Sequence, residues 1–375
     1  MSAHSARTVV LTGATGRLGR HIAENLAKQG NSLALVVRDR YRGEEIAREL
    51  GRTCPDARVQ VHFADLASCS SVKDLSRALL HTYSQVDVLV NCAAVTSPPP
   101  HRQLSKDQLD VTFHTNAVAP FQLMVLLAPL LMRAGKHAKV VNVASSTGLP
   151  IVMRTTLSDR PVPHQGHLDH WDQAVRMGLA QPPSPLLDPA DVAVPFHDYA
   201  NPVASAGVYC MYPLVTGRLD LDHWLPKQLR YPYQSPGPLG SEEELQQPRP
   251  YDGGEAYVQS KIALRHLSWA AGSYYEAMNS SIQVHCCHPG KVETPALQNF
   301  GLAGGLSTAS KAASVPTFLA SDRRLHTTDG QRSFYWNELL RGQRCEYMND
   351  LQACLRTWLA CEAFTGCSLK VSSGI

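Results

Sequence analysis

The chain has 375 residues, 44% of them hydrophobic, which is long enough to bury a large core. Its formal charge is only +3, with acidic and basic residues interspersed and no block of like charge, which argues against nucleic acid or an anionic membrane as partner. Charged residues make up 18%, against about a quarter in typical domains, so apolar surface for a substrate or a partner is expected.

The ten cysteines include no Cys-x-x-Cys spacing, so no metal or redox motif is expected. Cys286 and Cys287, adjacent in an apolar segment, read as reduced packing residues. The longest apolar run, Phe121 to Met132, is too short to span a bilayer. A soluble, cytoplasmic chain without an integral membrane segment is expected, with a homo-oligomer left open.

In chain order, Thr8–Thr12 reads as a short buried strand. It runs into the glycine turn Gly13-Ala-Thr15-Gly16-Arg17-Leu18-Gly19 and a helical pattern with Ile22, Leu26 and Ala27 on one face. Strand, glycine turn and helix form the context in which backbone N–H groups and a helix N-terminus bind a pyrophosphate. A second strand, Ser32–Val37, ends at Arg38, where a dinucleotide fold faces the adenine ribose. An Arg there accommodates a 2′-phosphate, and Arg17 offers a second positive charge. NADP(H) is therefore favoured over NAD(H), although Asp39 directly follows. Further strands are predicted at Arg58–Phe63, Val86–Asn91, Lys139–Ala144, Ile282–Cys287 and Arg332–Trp336, with helices between them. One long helix should follow Asn116. A closing helix is expected over Asn349 to Phe364, with Leu355 and Trp358 turned inward. This alternation predicts a doubly wound parallel α/β sheet, a Rossmann fold, as one domain over residues 1–375.

The pair Tyr257 and Lys261 lies in Glu255-Ala-Tyr-Val-Gln-Ser-Lys261. Residues at i and i+4 share a helix face, which sets the ammonium beside the phenol. A neighbouring cation favours the phenolate and makes the phenol a usable acid or base near neutral pH.

With these motifs in order, the chain resembles the short-chain dehydrogenases/reductases, in particular the retinol-dehydrogenase-like and WW-domain-oxidoreductase-like branch. Thr12 to Gly19 resembles the cofactor turn, and Arg38-Asp39 the Arg-Asp pair of that NADP-preferring branch. Asp65-Leu66 resembles the adenine-contacting pair, and Asn91-Cys-Ala93-Ala94 the family's Asn-x-Ala-Gly. Asn116 stands at the family's helix Asn, and Val140 to Gly148 resembles the strand that carries the catalytic Ser, at Ser145. His288-Pro289-Gly290-Lys-Val292-Glu-Thr294 resembles the loop beside the nicotinamide. Together the matches cover residues 7–149 and 252–365. The chain departs from the pattern at Arg17 and Ala94, where glycines are usual.

The larger departure is an insertion. Some 111 residues separate Ser145 from Tyr257, where relatives have one short loop. The segment from about Leu149 to Asp252 holds 16 of the 25 prolines, together with Trp171, Trp224 and six tyrosines. Its ends flank Ser145 and Tyr257, so it is expected to form a lid or a wall of the substrate pocket, with a surface excursion pointing away or a docking surface for another subunit as the alternatives.

The resemblance implies an oxidoreductase acting on a small carbonyl or alcohol substrate. In it Tyr257 exchanges the proton, Ser145 fixes the substrate oxygen, Lys261 tunes Tyr257 and bonds the ribose, and Asn116 holds the helix and a water path. Two alternatives stand beside it: an NADP(H)-sensing binding module with vestigial catalysis, and a carbon–carbon double-bond reductase.

Overall fold

The computed structural model describes residues 6–99, 101–145, 251, 253–290, 292, 307–322, 325, 333–337, 340–342 and 351–369. The expected insertion apart from Tyr251, and with it Thr294 and Arg332, lies outside them.

The sheet runs β3-β2-β1-β4-β5-β6-β7-β8. Its strands are β1 (Thr8–Thr12), β2 (Ser32–Val37), β3 (Val59–Phe63), β4 (Val88–Asn91), β5 (Lys139–Val143), β6 (Gln283–His288), β7 (Ser333–Asn337) and β8 (Leu340–Gly342). All neighbours pair in parallel except β7 and β8. The order reverses between β1 and β4, which opens a crevice at the carboxyl ends of those strands. β1, β4 and β5 are aliphatic and buried along nearly their whole length, as a sheet covered on both faces requires.

One face carries α1 (Arg17–Lys28) and α2 (Arg40–Thr53), with Ile22, Leu26, Val315 and Trp336 in its apolar layer. The other carries α3 (Cys69–Thr82), α4 (Val111–Phe113), α5 (Ala119–Leu126) and α6 (Ala128–Ala134), and later α7 (Gly253–Ala277) and the closing helix. Before that closing helix come the short α8 (Ala309–Ala312) and α9 (Ser314–Ser321); α10 (Leu351–Thr365) then closes the domain. Trp358 of α10 is fully buried between Phe121 and Tyr274.

Several sequence expectations are corrected. The fourth strand begins at Val88 rather than Val86, because the Val86 N–H turns to Leu130 O. The edges of β3, β5, β6 and β7 move by one residue. Leu355 is only half-buried, while its neighbour Cys354 takes the inward position. The antiparallel β8 has three residues, too few for any alternation to show.

The single long helix after Asn116 is also broken. A π-helical turn over His114–Val118 precedes α5, and the chain bends by 57° between the Val111–Leu126 and Ala128–His137 segments. Prolines explain both features. Pro120 has no N–H to close an α-turn onto Asn116 O, and Pro129 has none for Val125 O. Among the described residues no single helix is long and apolar enough to cross a membrane.

Candidate active site

The glycine turn is as tight as its sequence suggests. Gly13 has φ +79°, and a Cβ on it would stand 2.7 Å from the Ala93 backbone. A Cβ on Gly19 would lie 2.1 Å from Gly13 O, so only glycine lets α1 pack onto the turn. Side chains cap α2 (Asp39), α3 (Ser68), α4 (Asp110) and α8 (Thr308). The N-cap of α1 is Gly16, and no side chain caps it. A helix N-terminus approached by glycine backbone and left without a side-chain acceptor suits an anionic pyrophosphate. The residues present therefore fit a dinucleotide.

Thr12 fixes the opposite lip of this crevice. Its hydroxyl accepts from the Cys92 and Ala93 N–H groups, both at 3.1 Å, and so ties the Asn91–Ala94 segment to β1. Asn91 itself is buried and donates to Asn142 Oδ1 at 2.8 Å. Its side chain serves the sheet interior, where Asn142 passes the chain on to Ser268 Oγ.

At the far end of β2, Arg38 is exposed and has no ion-pair partner among the described residues. Asp39 is engaged in a different task. Its carboxylate accepts from Arg42 N at 3.1 Å as the cap of α2 and stands 3.6 Å from the Arg42 guanidinium. Asp65 is half-buried and accepts from Ala67 N at 3.0 Å, which shapes the turn after β3, and Leu66 is buried beside it. Arg17 is exposed on the first turn of α1, between the half-buried Thr15 and Leu18. Pro289, Gly290 and Val292 follow β6 and are buried, and Gly290 takes φ +96°.

α7 gathers the remaining candidates. Tyr257 and Lys261 share its inner face, with the ammonium 5.7 Å from the centre of the phenol ring. Lys261 is 2% exposed and donates to Val143 O at 3.0 Å, at the carboxyl end of β5. Burial pulls its pKa down to about 8. The buried Ser145 stands two residues further along, and its carbonyl accepts from Arg265 Nη1 at 2.7 Å.

Asn116 is fully buried inside the π-helical turn. Its Oδ1 accepts from Val95 N at 2.7 Å, and its Nδ2 donates to Val95 O and to Ser260 Oγ at 3.1 and 3.0 Å. Ser260 in turn donates to Tyr257 O at 2.7 Å. A continuous hydrogen-bonded path therefore joins the loop after β4, the π-helical turn and the backbone of the Tyr257 turn. Asn116, Tyr257 and Lys261 are thus gathered around α7, and Arg265 of the same helix holds the Ser145 carbonyl at the end of β5.

Sequence reading passed over Ser260, Arg265 and Asn142. Ser260 precedes Lys261 in the same motif and could have been singled out as a small polar residue on a helix that faces the core. Arg265, at four residues past Lys261, was legible as a third member of the same helix face.

A second polar cluster was invisible because its members lie far apart in sequence. Cys69, Asp107 and His114 hold their side-chain ligand atoms within 4.8 Å of one another. Their contacts close on themselves: Cys69 Sγ meets His114 Nε2 at 3.5 Å, His114 Nδ1 meets Ser105 Oγ at 2.9 Å, and Asp107 accepts from Cys69 N at 2.8 Å. Burial holds the thiol up at about 12 and the imidazole down at about 4, so both are neutral at pH 7. The cluster packs α3 against the π-helical turn.

Comparison with known proteins agrees with this geometry over the first part of the chain. Residues 7–156 match the family model described as short chain dehydrogenase. Retinol dehydrogenase 13 of Mus musculus is 32% identical over 139 residues, 37% of this chain and 41% of that protein. The 7alpha-hydroxysteroid dehydrogenase of Bacteroides fragilis is 29% identical over 162 residues, 42% of this chain and 61% of that protein. The chain thus spans less than two thirds of the length of these relatives. Among solved structures, an uncharacterized protein from Mycobacterium paratuberculosis superposes with TM-score 0.57 at 20% identity, over 97% of this chain and 95% of that one. The RhlG/NADP active-site complex of Pseudomonas aeruginosa gives TM-score 0.51 at 16% identity, over 89% and 95%. Over residues 7–156, with their glycine turn and the strands that carry it, the chain is similar to the short-chain dehydrogenases.

Proposed function

We propose that the chain is an NADP(H)-dependent oxidoreductase acting on a carbonyl/alcohol pair, with Tyr257 as general acid/base. The observation that carries this reading is the buried Lys261 ammonium beside the Tyr257 ring, at the strand end where Ser145 is held. The assignment to hydride chemistry also draws on the relatives, two of which are dehydrogenases by name, and on the fold neighbour that binds NADP. Choice of the phosphorylated dinucleotide follows from the exposed Arg38 and from Asp39 being engaged as a helix cap.

The nicotinamide, when bound, supplies or accepts the hydride. The chain's own residues do the rest. Gly13, Gly16 and Gly19 would let backbone approach the pyrophosphate, Arg38 would meet the 2′-phosphate, and Asp65, Leu66, Pro289, Gly290 and Val292 would help hold the rest of the dinucleotide. The Ser145 hydroxyl donates to the substrate oxygen and polarises it. Tyr257 gives that oxygen its proton in reduction and takes it back in oxidation. The Lys261 ammonium favours the phenolate and so brings the phenol toward neutral pH. Asn116, with both Nδ2 donors used and its Oδ1 accepting from Val95 N, acts by holding the π-helical turn against α7.

A panel of aldehydes, ketones, quinones and enones assayed with NADPH and NADH tests the reading. Turnover of carbonyls with NADPH is expected. Reduction confined to the double bond of enones would replace it with a carbon–carbon double-bond reductase. Tight NADPH binding with no turnover on the panel would leave a sensing module.

A further inference from the structure

α7 presents not two but three chemically active side chains on one face. Tyr257, Lys261 and Arg265 stand four residues apart, and each such step rotates the helix face by only about 40°. Lys261 donates to Val143 O at 3.0 Å and Arg265 to Ser145 O at 2.7 Å. In an extended chain carbonyls two residues apart point the same way. The two cations therefore clamp the end of β5 side by side, like adjacent rungs. Ser145 lies one residue past the Ala144 N to Cys287 O bond, where the ladder with β6 gives way. The clamp takes over where the ladder stops.

Both cations are removed from water: Arg265 is 4% exposed and Lys261 2%. The groups that face Lys261 are Cys92 at the end of β4, Cys286 and Cys287 on β6, Tyr257, and Arg265 on α7 itself. Burial holds Cys286 up at about 11 and pushes Cys287 well above the usual thiol value, so these thiols are neutral at pH 7. Among the described groups around Lys261, Arg265 alone brings a formal charge at neutral pH, and it is a like charge.

We infer that Arg265 is a positioning residue of the active site: its guanidinium holds the Ser145 end of β5 in register with Tyr257, and its charge crowds the Lys261 ammonium. The catalytic half of this inference rests on the oxidoreductase reading, while the electrostatic half rests on the side-by-side placement of the two cations at Val143 O and Ser145 O. Removing the Arg265 charge should let Lys261 keep its proton to higher pH, since one repulsive neighbour is gone. Removing its hydrogen bond should loosen Ser145 and slow the chemical step without weakening the dinucleotide, which meets other residues.

The test uses the full chain and its Arg265→Met, Arg265→Gln and Arg265→Lys variants, labelled with ¹³Cε-lysine. The Lys261 signal is identified by its loss in Lys261→Arg, and its midpoint is followed by NMR. Lys139 is a built-in control. It too is buried and lowered to about 8, but it sits at the opposite end of β5, where it donates to Leu319 O and Asp322 O beside Arg7. In Arg265→Met the Lys261 midpoint should rise by about half a pH unit or more while Lys139 stays put. Arg265→Lys should restore the wild-type midpoint. Arg265→Gln keeps a donor but no charge, so its midpoint should match Met; it also carries the test if the Met chain fails to fold. With 9,10-phenanthrenequinone as probe, kcat should fall about tenfold in Met and recover in part in Gln, with KM for NADPH within about twofold throughout. A Lys261 midpoint unmoved in both Met and Gln would overturn the electrostatic half. Wild-type kcat in Met would overturn the positioning half. A wild type that does not turn over the quinone would count against the oxidoreductase reading, and the midpoints would still decide the electrostatic half.

Discussion

The two halves of the sheet solve their tasks by opposite means. The β1–β3 half presents backbone: glycines that a Cβ would obstruct, a helix without a side-chain cap, and aliphatic strands. The half built on β5, β6 and α7 presents side chains in the dry interior: Lys261, Arg265, Asn116, Asn142, Ser260 and Ser268. A backbone site tolerates almost no added volume. A buried polar site tolerates almost no loss of a partner, because each group left unpaired costs its full desolvation. In the proposed function the first half binds the dinucleotide and the second exchanges the proton.

Lys261→Met breaks the comparison hardest. Turnover should fall by about 10²-fold or more, since the phenol loses the cation that tunes it. Stability should move the other way. The folded chain holds the Lys261 proton only to about pH 8, against 10.5 for the free side chain. The charged form is thus disfavoured in the fold by on the order of 3 kcal/mol below pH 8, and that cost is relieved as pH rises toward 10.5. Denaturant unfolding should therefore favour Lys261→Met most at pH 7, where the relieved charge offsets the lost bond to Val143 O, with that advantage shrinking by pH 9.5. A variant that is active, or markedly less stable at pH 7, would contradict the role given to the buried charge.

Gly19→Ala strikes the backbone half. The methyl would meet Gly13 O, which belongs to the turn itself, so α1 must shift. Overpacking of this kind costs about 1–3 kcal/mol. Calorimetry should show a lower Tm, and fluorescence titration a weaker NADPH. Full affinity in this variant would mean that α1 does not pack on the turn as described.

Arg38→Ala should give the smallest change and sharpen the division of labour. NADPH should weaken by about 1.5 kcal/mol, roughly tenfold, with NADH untouched. Equal losses for both cofactors would place the 2′-phosphate elsewhere.

The two halves also differ in how legible they were. Gly13, Gly16 and Gly19 follow one another within one turn, and the tight packing found there was readable from local chemistry. Seven of the eight strands were readable from short aliphatic runs, to within a residue or two. The π-helical turn was not, because its cause, Pro120, sits inside a uniformly apolar segment whose periodicity is lost. Tyr257 and Lys261 were readable as neighbours on one helix. The path from Asn116 through Ser260 to Tyr257 O joins positions 144 residues apart, and no spacing announces it. The same holds for Arg265 and Ser145, 120 residues apart.

In the proposed function Tyr257 exchanges the proton while hydride passes between nicotinamide and substrate. The direct measurement uses NADPH deuterated at C4 with a carbonyl that the wild type turns over, followed by mass spectrometry of the product. Deuterium on the former carbonyl carbon, at a rate reduced by about 10²–10⁴-fold in Tyr257→Phe with NADPH affinity unchanged, is the predicted result. Deuterium transfer by Tyr257→Phe at the wild-type rate would contradict it.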